Sequence, residues 1–293
     1  MRGFSSINPR VLTVYFLSVL LISMFLWNPV IQIISLSGGL LFLLSVSRFK
    51  EFISDLCFYA VLFLLITLTN PLFSHNGETP LFFMNGNPIT FEAIVYGGAM
   101  GIMIVSVIIW CKCFSRIITT DKLLYVFGGL TPKLTLILSM SLRFIPLFKK
   151  QAKKVRNAQK TMGIFSQKSI ADKAASASAV LSSMTSWSLE NAIETGNAMK
   201  SKGYGLKPRT SYFLFKFSIS DGFFMALTIV FTVFVLVSAA SGELNFNFYP
   251  ALSEINLKPL SVTAYLCYAI MTLMPFIIET EENIKWKYYI SRI

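Results

Sequence analysis

Charged residues are scarce in this chain. Only 14% of its 293 residues are Asp, Glu, Lys or Arg, whereas 54% are hydrophobic, including 27 Phe. The surface of a soluble globular domain normally carries a larger share of charge than this. The composition therefore excludes an ordinary soluble domain and predicts an integral membrane protein.

Residues that support metal or disulfide chemistry are also few. The chain has one His, His75, and four Cys. Cys57 and Cys267 lie inside apolar runs, and Cys111 and Cys113 lie together near the end of another. These spacings form no disulfide framework, and His75 has no Cys or second His nearby to complete a metal site. We therefore expect this chain to bind no metal ion and no cofactor.

Catalytic motifs are missing as well. The sequence has no nucleotide-binding G-x-x-x-x-G-K-[ST], no nucleophile elbow and no His/Glu metal signature. A self-sufficient ion-coupled carrier would place acids inside its spans, but Glu92, Asp221 and Glu279 lie only at the edges of apolar runs. A membrane enzyme would need converging polar groups, whereas this chain offers only scattered Ser and Thr. We predict no catalytic residue and no enzymatic activity.

What the sequence has in excess is positive charge, with a formal net charge of +12. Such a charge can indicate a nucleic-acid partner. In a protein that crosses the membrane several times, however, basic residues collect on the cytoplasmic side. We interpret the charge as a signal of topology and expect no nucleic-acid partner.

The apolar residues form six runs near the roughly 20 residues that cross a bilayer. The first run follows Asn8-Pro9-Arg10 without a small-residue cleavage site, which indicates a retained helix rather than a signal peptide. The fold class predicted is an all-α membrane protein with about six transmembrane helices. The runs are Val11 to Trp27, Pro29 to Ser47, Leu56 to Thr69, Phe91 to Phe114, Gly222 to Ser241 and Leu260 to Ile278.

The basic residues predict the orientation of these spans. If the N terminus is cytoplasmic, every one of the 26 Lys and Arg residues except Lys258 lies on the cytoplasmic side. This agrees with the positive-inside rule. We therefore predict a multi-pass protein of the cell membrane with both termini in the cytoplasm. Its three regions are a four-span part (1–120), an interfacial and cytoplasmic part with long coupling helices (121–220), and a two-span part with a short tail (221–293).

The central region begins with the apolar stretch DKLLYVFGGLTPKLTLILSMSLRFIPLF. Glycines and the prolines Pro132 and Pro146 interrupt it, and its pieces are too short to be two more spans. We expect helices that lie at, or dip into, the membrane surface. Arg143 is costly in hydrocarbon, so we expect it to face protein or to reach the interface.

Two basic helix ends follow in the same region. The stretch KKQAKKVRNAQKTMG carries six cations from Lys149 to Lys160 and ends in Gly163, and a second helix predicted from Ile170 to Gly205 ends within NAMKSKGYG. A glycine just past a helix caps it, and cations in the last turn suit the helix dipole. Two interpretations stay open: paired plugs for cytoplasmic sockets, or basic helices resting on anionic lipid.

The chain resembles the transmembrane T component of energy-coupling factor (ECF) transporters, the EcfT or CbiQ family, over almost its whole length. This resemblance implies two cytoplasmic coupling helices that end in Ala-Arg-Gly type tripeptides and dock into two ABC-type ATPase subunits. It further implies that the chain passes their motion to a small integral membrane S component that binds a vitamin or metal ion. The motifs are NPR at 8–10, the loop from Asn70, SLRFIPLF at 141–148, NAQKTMG at 157–163 and SLENAIETGNAMKSKGYGL at 188–206.

The resemblance assigns the docking tripeptides to the two helix ends. Lys202 keeps the positive charge of the family's arginine but lacks its bidentate fork, and Met162 has no charge, so the first contact would rely on a flexible thioether. A conventional ABC permease subunit is the alternative, because it also couples through cytoplasmic helices. The residues assigned to docking are Ser201, Lys202 and Gly203, followed by Tyr204, and Thr161, Met162 and Gly163, preceded by Lys160.

Overall fold

The structure is a computed structural model that describes residues 3–74, 77–84, 87–162, 170–206, 215, 217–250 and 252–290. It divides into two compact units, Met1–Leu123 with Phe215–Ile293, and Leu124–Leu214. A 3₁₀ turn, Phe4–Ser6, precedes the first helix. The other elements are α1 (Pro9–Phe25), α2 (Pro29–Val46), α3 (Phe49–Phe73), β1 (Pro80–Met84), β2 (Asn87–Thr90), α4 (Phe91–Ile117), α5 (Thr120–Leu130), α6 (Pro132–Thr161), α7 (Ile170–Ser201), α8 (Ile219–Ala240) and α9 (Pro259–Ile290).

The helices of the first unit match the predicted membrane spans. Five described helices, α2, α3, α4, α8 and α9, are long and apolar enough to cross a bilayer. The remaining predicted span corresponds to α1, which has 17 residues and so lies at the lower end of the spanning length. The class predicted from composition, an all-α membrane protein, is confirmed. The antiparallel hairpin of β1 and β2 is the only sheet in the described part of the chain.

Two Asn-Pro pairs start the first two helices. The side chain of Asn8 accepts a hydrogen bond from the backbone N–H of Arg10 at 3.1 Å, and that of Asn28 accepts one from Val30 at 3.0 Å. In both cases proline occupies the first helical position, where no N–H is needed. These caps satisfy backbone donors that would otherwise be left without partners at the helix ends.

Aromatic residues fill the core of the first unit, where α2 packs on α4 and α9, and α1 on α4 and α8. Trp110 is fully buried, and its indole Nε1 donates to the backbone oxygen of Ser35 at 3.1 Å. The fully buried Tyr15 donates its hydroxyl to the backbone oxygen of Met271 at 3.0 Å. Both of these rings therefore pack with their polar groups hydrogen-bonded, which offsets the cost of burying those groups.

Helix α3 packs mainly on α4 through a glycine contact. A Cβ atom added at Gly97 would lie 2.9 Å from the backbone oxygen of Thr67, so only glycine allows this approach. Nearer the other end of the two helices, the Nη2 atom of Arg116 pairs with Oε2 of Glu51 at 2.8 Å. A close backbone contact and an ion pair therefore hold α3 against its neighbour.

Replacing Gly97 by Leu should detach α3 from α4. The backbone of α3 cannot yield as a side chain could, so we expect a loss of about 1 to 3 kcal/mol of stability, as for other overpacked sites. Gly98→Leu is the matched control, because a Cβ atom there would meet nothing within 4 Å. Thermal unfolding of both variants in the same detergent checks this, and equal midpoints would contradict the contact.

The second unit differs from the sequence prediction in one respect. We predicted the apolar stretch and the basic stretch as separate helices, but the part of the apolar stretch that follows Pro132 continues into the basic stretch as one helix, α6, which runs through Pro146. Proline removes one backbone donor, yet its φ angle is compatible with a helix. The break occurs instead at Thr131, directly before Pro132, where a proline disfavours helical geometry for the residue that precedes it.

Candidate functional site

Helices α6 and α7 pack against each other through two aromatic rings near the middle of both helices. The ring centroids of Phe148 and Trp187 lie 5.3 Å apart with the planes at 87°, an edge-to-face contact. Phe144, one turn earlier on α6, packs edge-to-face on Phe148 at 6.3 Å. Such pairs stabilise by about 0.5 to 1.5 kcal/mol beyond their buried area.

Both helices continue well beyond this contact. At a rise of about 1.5 Å per residue, the axis from Phe148 to Thr161 and that from Trp187 to Ser201 are each about 20 Å long. The aromatic contact thus lies about 20 Å along the helix axis from each of the two C-termini. These are the two ends to which the resemblance assigns docking.

The end of α7 has the geometry of a Schellman cap. Gly203 has a φ angle of +82°, and its N–H donates to the backbone oxygen of Lys200 at 2.9 Å. The N–H of Tyr204 reaches back to the oxygen of Met199 at 3.0 Å. The helix therefore ends at Ser201, slightly before the predicted Gly205, and Gly203 caps it because a left-handed residue is needed there and glycine adopts that conformation without strain.

The side chains at this end face outward. Ser201, Lys202 and Tyr204 are all exposed, although the Ser201 hydroxyl donates to the backbone oxygen of Asn197 at 3.0 Å. Lys202 forms no ion pair with any described residue. Its ammonium therefore remains available beside the helix carbonyls, where a cation is favoured.

The end of α6 is built differently. The N–H of Met162 donates to the backbone oxygen of Ala158 at 3.1 Å, and the hydroxyl of Thr161 donates to the same oxygen at 2.7 Å. The Met162 side chain is 77% exposed, and Lys160 is exposed in the last turn. Gly163 lies outside the described residues. This end therefore presents a flexible apolar side chain with a cation close by.

The two halves of α6 differ in the polarity of their exposed side chains. Its second half carries the cations from Lys149 to Lys160, whereas its first half exposes large apolar side chains. Arg143 lies in the apolar half, is exposed, and forms no hydrogen bond or ion pair with a described residue. The exposed apolar side chains are Leu134, Ile137, Leu138, Leu142, Ile145 and Leu147 on α6, and Leu181, Leu189 and Ile193 on α7.

The acids at the edges of the spans have structural partners. Glu92 accepts a hydrogen bond from the Thr79 hydroxyl at 2.7 Å, and Glu279 accepts one from the backbone N–H of Phe4 at 2.9 Å. Asp221 is buried and closes a capping box at the start of α8. Among the described residues, no group of three or more His, Cys, Asp or Glu could hold a metal ion.

These features define a class: a multi-pass helical membrane protein with a two-helix unit whose C-terminal ends are exposed. Residues 4–212 match the family model of CbiQ, the cobalt transport protein, and the chain belongs to this family. The matched range includes α6 and α7 with both helix ends.

One curated relative adds to this. The chain is 30% identical over 118 residues to the energy-coupling factor transporter transmembrane protein EcfT of Lactobacillus helveticus (strain DPC 4571). The aligned part covers 40% of this chain and 43% of the relative. The resemblance drawn from the motifs is confirmed at the level of the family.

Sequence reasoning found the helix ends but missed the joint between the helices. Phe148 ends the motif SLRFIPLF, and nothing in the spacing of α7 marks Trp187 as its partner. A signal was present: both aromatics precede their glycines, Gly163 and Gly203, by nearly the same distance in sequence. The two helix segments that extend beyond the aromatic contact are therefore of similar length.

Proposed function

We propose that this chain is the transmembrane coupling subunit of an ECF-type importer. Two ATPase subunits bind the ends of α6 and α7, and the chain transmits their motion to a small integral membrane S component that takes up a vitamin or metal ion. The observation that carries this proposal is the pair of long helices, in contact through Phe148 and Trp187. Their exposed ends include Lys202, which forms no ion pair with a described residue. Membership of a transport family supports it.

The end of α7 suits an acidic groove. The carbonyls at a helix C-terminus repel a carboxylate unless a cation lies between them, and Lys202 supplies that cation. Lys200, in the last turn of the same helix, adds a second one. The partner predicted for this end is an ATPase surface that offers a carboxylate to Lys202 and space for the ring of Tyr204.

The end of α6 suits a partly apolar pocket. Met162 gains its binding energy from packing, because a thioether adapts to irregular surfaces. Lys160 then provides the charge close to it. The two docking contacts are therefore chemically different, and the two ATPase surfaces that receive them need not be alike.

The exposed apolar side chains of α6 and α7 require an apolar partner that shields them from water. Exposed apolar patches of this kind mark surfaces that contact lipid or another protein. We assign them to the S component and to the lipid bilayer, which leaves the basic half of α6 for the cytoplasmic side. Arg143 then reaches the interface by extending its long side chain.

The chain itself is a non-catalytic subunit. It lacks the nucleotide-binding motif, and the edge acids Glu92, Asp221 and Glu279 are engaged in hydrogen bonds within the fold. A conventional ABC permease subunit remains the second candidate, because it too would present cytoplasmic helices to ATPases. The relative that carries the energy-coupling factor name favours the first candidate.

Purification of the complex from its natural cell membrane tests the proposal. We expect one copy of this chain to be recovered with two ATPase subunits and one small integral membrane protein. Stoichiometry by native mass spectrometry measures this. Two copies of the chain recovered with a soluble binding protein would instead establish a conventional permease, and recovery without any ATPase would refute both candidates.

A further inference from the structure

The N-terminal turn, defined here as residues Gly3–Asn8, is built into the core of the first unit. The Phe4 ring is fully buried and packs edge-to-face on Tyr15 and Phe42, both at 5.5 Å, and on Phe224 at 5.9 Å. A backbone hydrogen bond joins Phe4 to Glu279 on α9. A segment that precedes the first span and serves only as a tail would have no reason to be buried in this way.

The turn contacts the point where the chain leaves the first unit. Lys122 lies just before the second unit begins at Leu124, and it is only 9% exposed. Its Nζ atom donates to the backbone oxygen of Ser5 at 2.6 Å and to that of Ile117 at 3.0 Å. Burial lowers the pKa of Lys122, since these partners are carbonyls rather than carboxylates. Burying a cation is costly unless it is hydrogen-bonded, and the two backbone oxygens supply those hydrogen bonds to Lys122.

The same turn contacts the point where the chain returns. The second unit ends at Leu214, and α8 begins at Ile219 under the capping box formed by Ser218 and Asp221. The Oδ2 atom of Asp221 accepts from the N–H of Ser218 at 3.0 Å, and its Oδ1 atom lies 3.4 Å from the backbone nitrogen of Asn8, which donates to it. One short segment thus bonds to both junctions of the central unit.

We propose that the N-terminal turn is a clasp that fixes both junctions of the coupling unit, with Lys122 and Asp221 as positioning residues for the transmission of motion. This rests on the coupling function proposed above. Displacement of the ends of α6 and α7 can move the membrane helices only if the chain is held where it joins them. Without the clasp, the first turns of α5 and α8 would absorb the displacement locally.

Gly3 offers a way to loosen the clasp without altering either junction. A Cβ atom at this position would overlap Oε2 of Glu279, the atom that accepts the hydrogen bond from the N–H of Phe4. Gly3→Ala therefore displaces the flexible Glu279 carboxylate and removes its hydrogen bond with Phe4. If the clasp acts as proposed, one methyl group at Gly3 should loosen both α5 and α8.

Hydrogen exchange of the full chain in lipid nanodiscs tests the clasp without any partner. Lys122→Met keeps the volume but removes the donors, and we expect exchange in the first turn of α5 to rise at least tenfold, with rescue by Lys122→Arg. Gly3→Ala should raise exchange in the first turns of both α5 and α8. Lys133→Met, an exposed lysine on α6, is the control and should change neither. Unchanged exchange at both junctions in Gly3→Ala would overturn the proposal.

Hydrogen exchange of the complex with its ATPases tests the clasp and the coupling function separately. In the wild type we expect ATP with vanadate to change exchange in the first turn of α8. In Lys122→Met the ATPases should stay bound, while this nucleotide-dependent change is lost. If ATP with vanadate changes exchange in the first turn of α8 as much in Lys122→Met as in the wild type, transmission through the clasp is refuted. Failure of the wild-type chain to bind ATPases would refute the coupling function, and the partner-free exchange would still decide whether the clasp exists.

Discussion

Lys202→Glu should release an ATPase subunit from the complex. The variant places a carboxylate beside the terminal carbonyls of α7 and opposite the acidic groove, so attraction becomes repulsion at both. An interfacial charge that loses its partner typically costs about 2 to 5 kcal/mol, which weakens binding by about 30-fold to several thousand-fold. Co-purification of the ATPase pair with the tagged variant measures this loss.

The matched control is Lys154→Glu, an exposed lysine two turns before the end of α6. If the basic helices merely rest on anionic lipid, each charge contributes about 1 kcal/mol and the two variants should behave alike. If α7 is a docking helix, only Lys202→Glu should lose the ATPases. Equal retention by both variants would leave the docking role without support.

Lys202→Arg completes this series. A guanidinium binds a carboxylate with two parallel hydrogen bonds, whereas an ammonium acts as a point charge. We expect the arginine variant to retain the ATPases at least as well as the wild type. Gly203 is unchanged in all these variants, so the helix end keeps its cap and the comparison isolates the charge.

The membrane fold was largely predictable because the bilayer imposes simple rules. Apolar length specifies the spans, and Asn-Pro pairs such as Asn8-Pro9 specify where helices start. The course of α6 through Pro146 was not predictable in the same way. Proline lowers the local preference for helix, but a long helix with many other backbone hydrogen bonds can absorb one missing donor.

The candidate site was predictable only where it depends on local chemistry. Gly203 and the neighbouring cations specify a helix end by themselves, since a cap involves a few consecutive residues. The contact of Phe148 with Trp187 and the bond of Lys122 to Ser5 join residues far apart in sequence. Periodicity places a residue on a face of its helix but does not say which residue it will meet, so these contacts required the structure.

Trp187→Ala should uncouple the two docking ends from each other. The indole is half-buried, so we expect a cost of about 2 kcal/mol, below the 3 to 5 kcal/mol of a fully buried aromatic. Spin labels at the exposed positions Lys160 and Lys200 report the distance between the helix ends. We expect one narrow distance distribution in the unmodified background and a broad one in the variant.

Leu189→Ala is the control for this substitution, because Leu189 lies two residues further along α7 and is 63% exposed. Phe148→Ala should broaden the distances as Trp187→Ala does, and the double variant should add little to either, since both remove the same contact. Both single variants should also retain fewer ATPase subunits on co-purification. The two ATPases move together, so the ends of α6 and α7 that they bind must be held at a defined separation. If the distance distribution is as narrow in Trp187→Ala as in Leu189→Ala, the aromatic contact does not set the separation of the helix ends. Each helix would then have to dock independently.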